Sequence, residues 1–83
     1  MKFIAEIDIM PLKELLDPQG KAIKLGLQNL GITQVEEVRM GKHISLTLEA
    51  ETEAEARQKV ETACKKLLAN LIVEDFSYTI ASV

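Results

Sequence analysis

Val35-Glu36-Glu37-Val38-Arg39-Met40-Gly41-Lys42-His43-Ile44-Ser45-Leu46-Thr47-Leu48-Glu49 is the stretch on which the fold turns. Ile44, Leu46 and Leu48 alternate with Ser45, Thr47 and Glu49, the period-two mark of a half-buried strand. Residues 35–40 read as another strand, so the stretch predicts a hairpin over 35–40 and 44–49. A two-residue Gly41-Lys42 loop would pair Met40 with His43 and set Val38 opposite Ser45. Cross-strand partners share a face, so that register mixes apolar with polar. A three-residue loop, Gly41-Lys42-His43, pairs Met40 with Ile44 and Val38 with Leu46, and burial favours it. Gly41 would then supply positive φ at the tip.

Upstream, Phe3, Ala5, Ile7 and Ile9 alternate with Ile4, Glu6, Asp8 and Met10, which predicts a strand that Pro11 ends. Leu12 to Leu16 connect it to a helix over about 18–30. Asp17 is its N-cap, Pro18 its first residue and Gly31 its left-handed C′ residue. Ala22, Ile23, Gly26, Leu27 and Leu30 form its apolar stripe. Downstream, Thr52 and Glu55 make a capping box before a helix over about 53–69. Ala56, Val60, Ala63, Cys64 and Leu67 are its stripe, and Asn70 can turn left-handed at its end. Ile72, Phe76, Tyr78 and Ile80 share one phase of a last strand over about 72–80, with Glu74 the polar exception on that phase.

The order is βαββαβ. One apolar face per strand and one apolar stripe per helix predict an α+β fold, a two-layer sandwich. Right-handed crossovers make it ferredoxin-like: a four-stranded antiparallel sheet with two helices on one face, in a single domain over 1–83. The outer sheet face would carry Glu6, Asp8, Glu37, Arg39, Ser45, Thr47, Asp75, Ser77 and Thr79.

The 83 residues hold 13 acidic and 10 basic side chains, for a net charge of -3. Phe3, Phe76 and Tyr78 are the only aromatics, and the basic residues are interspersed with acids, which argues against nucleic acid as a partner. No apolar run approaches the roughly 20 residues of a membrane span. Met1-Lys2-Phe3-Ile4-Ala5-Glu6 reaches an acid too early for an export signal, and a lone cysteine fits a reducing cytoplasm. One Cys and one His make neither a disulfide nor a metal site. A core this small gains burial by association.

No residue set carries catalysis. His43 falls beside the predicted turn without an orienting partner, and Cys64 falls on a core stripe. Gly20, third in its helix, has two readings: tolerated fraying, or close approach of another backbone or an anion. Arg39 and Lys42 flank a tight turn, as solvated tip or as polar anchor to a partner. Glu74 and Asp75 are edge-strand acids that either deter edge pairing or meet a partner.

Leu16-Asp17-Pro18-Gln19-Gly20, Val35-Glu36-Glu37-Val38-Arg39-Met40-Gly41-Lys42, Cys64-Lys65-Lys66-Leu67-Leu68-Ala69-Asn70 and Val73-Glu74-Asp75 follow one another in an order that resembles the PurS family, across essentially the whole chain. PurS is the smallest component of phosphoribosylformylglycinamidine synthase. Pro11, just after the first strand, is a possible departure from the family that touches the connector alone. The resemblance implies a cytoplasmic step of purine synthesis. Formylglycinamide ribonucleotide, glutamine and ATP become formylglycinamidine ribonucleotide, glutamate, ADP and phosphate. It implies three partners: the PurL synthetase subunit, the PurQ glutaminase subunit, and a second copy in a homodimer or higher even oligomer. ATP and magnesium would be used by the complex, with no cofactor on this chain. The chain would be a non-catalytic subunit of a C–N ligase, bridging the other two and assisting ammonia transfer. Candidate interface residues are Asp17, Pro18, Gly20, Arg39, Gly41, Lys42, Asn70, Glu74 and Asp75. The alternative is an ACT-like small-molecule-sensing domain, which uses the same βαββαβ sandwich.

Overall fold

The computed structural model describes residues 1–83. The elements are β1 (Lys2–Pro11), α1 (Pro18–Asn29), β2 (Lys42–Glu49), α2 (Glu53–Ala63), a π-helical turn (Cys64–Leu68) and β3 (Glu74–Ser82). The sheet has three antiparallel strands in the order β2-β1-β3. Ala5 faces Leu46 on one side and Ile80 on the other, and Ile7 faces Ile44 and Tyr78. This register puts every apolar alternation on one face. Phe3, Ala5, Ile7 and Ile9 are buried there against Ala56 and Val60 of α2 and Cys64 of the π-helical turn.

The predicted hairpin is absent. Residues 35–40 have no regular secondary structure and pair with no strand, and β2 begins at Lys42. The chain does not turn at Gly41-Lys42-His43. His43 pairs with Asp8 inside the β1–β2 ladder, so β2 reaches past the position where the loop was expected. The sheet is therefore three-stranded, not four-stranded, and Glu37 and Arg39 lie off its outer face. The only positive φ is at Gly31. Gly41 is small for another reason: a Cβ there would collide with the Ile9 carbonyl and the Met10 sulfur.

The helices divide differently from the sandwich expected. α2 covers β1 and β3, whereas α1 has no packed interface with the sheet or with α2. Instead α1 runs back along residues 35–40, and this helix-and-arm unit projects beyond the Pro11 end of the sheet. The molecule measures 51 × 27 × 14 Å, with a radius of gyration of 16.4 Å. A compact chain of this length has about 12 Å. Nothing lies within 4 Å of a Cβ built at Gly26, so this position of the α1 stripe makes no close contact within the chain.

Local signals fare better. Asp17 Oδ1 accepts the Gly20 N–H at 3.0 Å and caps α1. Gly31 closes it in a Schellman motif, with Ile32 N–H to the Leu27 carbonyl and Gly31 N–H to the Gln28 carbonyl. Thr52 Oγ1 accepts the Glu55 N–H, while Glu55 reaches back to the Glu51 N–H, one residue earlier than a capping box requires. The π-turn shifts the second stripe. Ala69 donates to the Cys64 carbonyl, five residues back. The inserted residue rotates Leu67 to 80% exposure and brings Leu68 and Ala69 inward. Asn70 is not left-handed. Its side-chain oxygen accepts the Ile72 N–H, and its carbonyl accepts those of Val73 and Glu74. This turn leaves Ile72 outside the strand and 83% exposed.

Candidate functional site

The nine candidate residues come from three separate parts of the sequence, and the fold gathers all of them at the Pro11 end of the sheet. Asp17 is the hub. Its Oδ1 caps α1, and its Oδ2 accepts the Met40 N–H at 2.9 Å, tying the helix start to the arm. These two N–H donors hold its carboxyl below the usual aspartate range, so it stays ionised. Gly20 is buried where the arm crosses. A Cβ there would overlap the Val38 carbonyl, so the close-approach reading holds, with the chain's own backbone as the approaching group. The Arg39 guanidinium donates to the Pro11 carbonyl, fastening the arm to the end of β1.

The last strand joins the same corner. Glu74 pairs with Pro11 and Asp75 with Met10 across the β1–β3 ladder. Glu74 Oε1 accepts the Asn70 N–H at 2.8 Å. Pro18, Asp17, Met40 and Glu74 line one shallow cleft of about 250 Å³, and Met40, Gly41, Lys42 and Glu74 line its neighbour of about 300 Å³. Asp17, Gly20, Arg39, Asn70 and Glu74 are thus used within the chain to build the corner. Lys42 and Asp75 are exposed and in no ion pair of the chain.

One cluster escaped the sequence reading. His43 Nδ1 lies 2.7 Å from Asp8 Oδ1 and its Nε2 2.5 Å from Glu6 Oε2, on the open outer face of the sheet. Ser45 donates to the other Glu6 oxygen at 2.9 Å. The histidine therefore has orienting partners after all. Asp8 first and Glu6 second raise its pKa, while His43 lowers that of Glu6. The signal was the matched parity of 6 and 8 with 45 and 43, which only the true register makes visible. No cleft adjoins the cluster, which sits on a flat face, so it orders strands rather than holding a substrate. Cys64 is fully buried and desolvation raises its thiol pKa, as suits a core residue. On the inner face, Tyr78 donates to Glu61 at 2.7 Å.

The corner is thus assembled from distant segments, with Asp17, Arg39 and Glu74 bonded within the chain. The family model for PurS, phosphoribosylformylglycinamidine (FGAM) synthase, matches residues 4–82. The chain belongs to the PurS family. It is 48% identical to the PurS subunit of Synechocystis over 69 residues, covering 83% of this chain and 69% of the relative. The Bacillus subtilis PurS subunit is 40% identical over 73 residues, covering 87% and 86%. A chain in the structure of Thermotoga maritima PurLQS superposes with a TM-score of 0.89 at 32% identity, covering 98% of this chain and 99% of that one. The Bacillus subtilis PurS crystal structure gives 0.85 at 31% identity, covering 96% and 99%. Membership of the PurS family sets aside the ACT-like alternative.

Proposed function

We propose that this chain is the non-catalytic, self-associating PurS subunit of phosphoribosylformylglycinamidine synthase. Its Pro11 corner bridges the ATP-dependent PurL synthetase and the PurQ glutaminase, which favours transfer of ammonia between them. The single observation that carries this reading is the convergence of the family-like segments on that corner. Self-association is supported by the core: ten of 83 residues are buried, few for a stand-alone domain. ATP and magnesium are used by the assembled complex in this reading. The site carboxylates of Asp17 and Glu74 are already taken up by backbone N–H groups. The cytoplasm is the compartment the pathway and the buried free thiol favour.

The test is reconstitution with the synthetase and glutaminase subunits. Lys42→Glu and Asp75→Lys reverse exposed charges that no ion pair in the fold uses. Glutamine-dependent turnover at limiting concentration should fall about tenfold, equivalent to about 1.4 kcal/mol of binding. Ammonia-dependent turnover and the melting temperature should stay near parent values. Parent-like glutamine-dependent turnover in both variants would remove the corner from the interface.

A further inference from the structure

A third cleft, of about 240 Å³, opens between the 12–16 connector, the first half of α1 and the arm; neither Lys42 nor Asp75 lines it. Lys13, Lys21, Lys24 and Arg39 all face it, four of the ten basic residues of an acidic chain. Arg39 is spent on the Pro11 carbonyl. Lys13 and Lys21 are exposed and enter no ion pair. Lys24 is held in place, because its Nζ donates to the Glu36 carbonyl at 2.8 Å, which leaves two N–H bonds for another acceptor. The fold gives these lysines no stabilising role. α1 has no acid in its first turn and no base in its last, and Lys21, its fourth residue, opposes the helix dipole. The helix terminus is not itself the attraction, since Asp17 already accepts the Gly20 N–H. Lys21 and Lys24, three apart, share a side of α1 that the apolar stripe of Ile23, Gly26 and Leu30 does not occupy.

The rest of the lining narrows the ligand. Glu36 and Glu37 face the same cleft from the arm, and neither enters an ion pair. A bare inorganic anion gains from the lysines but is repelled by these two carboxylates. Leu12, Leu15 and Leu16 add an apolar wall. A ligand that satisfies all three surfaces carries a phosphate, a flat apolar ring, and N–H or O–H donors away from the phosphate. We infer that this cleft binds a nucleoside 5′-monophosphate. Its phosphate accepts from Lys13, Lys21 and Lys24, its base lies against the leucines, and a base amino group or ribose hydroxyl donates to Glu36 or Glu37. The three lysines outnumber the two glutamates by one, which suits a monophosphate better than a triphosphate. Such a ligand would tie the connector, α1 and the arm together and so stabilise the folded chain. The inference goes beyond the subunit role and does not depend on it.

The test titrates the 83-residue chain with AMP and follows its amide chemical shifts. Shifts should saturate with a Kd below about 1 mM and concentrate in residues 12–24 and 35–39. Adenosine and inorganic phosphate should each bind at least about tenfold more weakly than AMP, because each meets only part of the lining. Lys13→Glu and Lys21→Glu should each weaken AMP binding by about tenfold. Neither lysine is paired within the fold, so both variants should melt like the parent, and Lys21→Glu should melt at or above it, since an acid suits the opening of a helix. No saturable shift by about 10 mM AMP, ten times the weakest Kd expected, overturns the site. So do saturable shifts confined to other residues, parent-like AMP affinity in either variant, or inorganic phosphate binding as tightly as AMP. All these readouts use the chain alone, so they are independent of the synthetase and glutaminase subunits.

Discussion

Replacing Gly20 by alanine sets two effects of known sign against each other. Alanine inside a helix is favoured over glycine by about 0.5–1 kcal/mol. At Gly20 the added methyl would enter the Val38 carbonyl, with Asp17 Oδ2 also within 2.9 Å. The obstacle is backbone, not a flexible side-chain end. It is fixed on one flank by Met40 N–H bonded to Asp17 and on the other by Arg39 bonded to Pro11. Relief therefore means lifting α1 off the arm, an overpacking cost of about 1–3 kcal/mol. The overpacking cost outweighs the propensity gain over most of these ranges, so the net expectation is a loss of up to about 2.5 kcal/mol, expressed first in the helix-and-arm unit. Urea titration at fixed protein concentration should show a lower midpoint with little change in slope. Hydrogen exchange should show the largest loss of protection across residues 18–40, with the β1–β3 ladder less affected. Gly20→Val should do the same more severely, so assembly would be lost through the chain's own geometry and not through a clash with a partner. A Gly20→Ala chain more stable than the parent, by the propensity difference, would refute the reasoning.

Two further outcomes follow from buried and titrating groups. The raised pKa of His43 stabilises the fold fully below about pH 6.5, and this is lost as pH rises through its folded-state value; the lowered pKa of Glu6 stabilises above about pH 4.5 and is lost as pH falls through its own. The cluster thus supports the fold most between those pH values. His43→Gln should flatten the stability–pH curve above pH 6 while leaving reconstituted turnover intact, and an unchanged curve would show that the cluster adds nothing. Cys64→Ser puts a hydroxyl into a fully buried position, at a cost of about 1–2 kcal/mol even if the hydroxyl bonds back to the preceding turn. That corresponds to a fall in melting temperature of several degrees for a domain this small, and a parent-like melt would place residue 64 outside the core.

The parts of the fold that could be read from sequence are those whose cause is local. The Asp17 cap, the Schellman glycine at 31, the alternation of β1 and the buried stripe of Ala56, Val60 and Cys64 each depend on neighbours within a few residues. Leu67 misled because one inserted residue in a π-turn rotates everything after it, and no residue type in Cys64-Lys65-Lys66-Leu67-Leu68 announces that insertion. His43 misled because a loop length was inferred from a pairing that does not form within the chain. The candidate corner was legible as a set of residues and not as a geometry. Asp17 and Arg39 were expected to face a partner, yet both are occupied inside the chain by Met40 and Pro11. What they hold in place is the corner that carries the exposed Lys42 and Asp75.

Residues 35–40 bring these threads together. Their composition is that of a strand, and the burial pattern that pairs Met40 with Ile44 and Val38 with Leu46 is sound as a statement about matching faces. A matched pattern specifies which faces meet, but not whether the two strands belong to one molecule. A tight hairpin at Gly41 would have kept the pair within the chain. Gly41 is instead pressed against the Ile9 carbonyl, and the next residues continue straight into the β1 ladder through Lys42 and His43. The ladder bonds of 42 and 43 hold the arm outward, and the arm carries α1 with it through Asp17 and Gly20. The same few contacts at the Pro11 corner therefore fix where residues 35–40 lie and hold α1 against them.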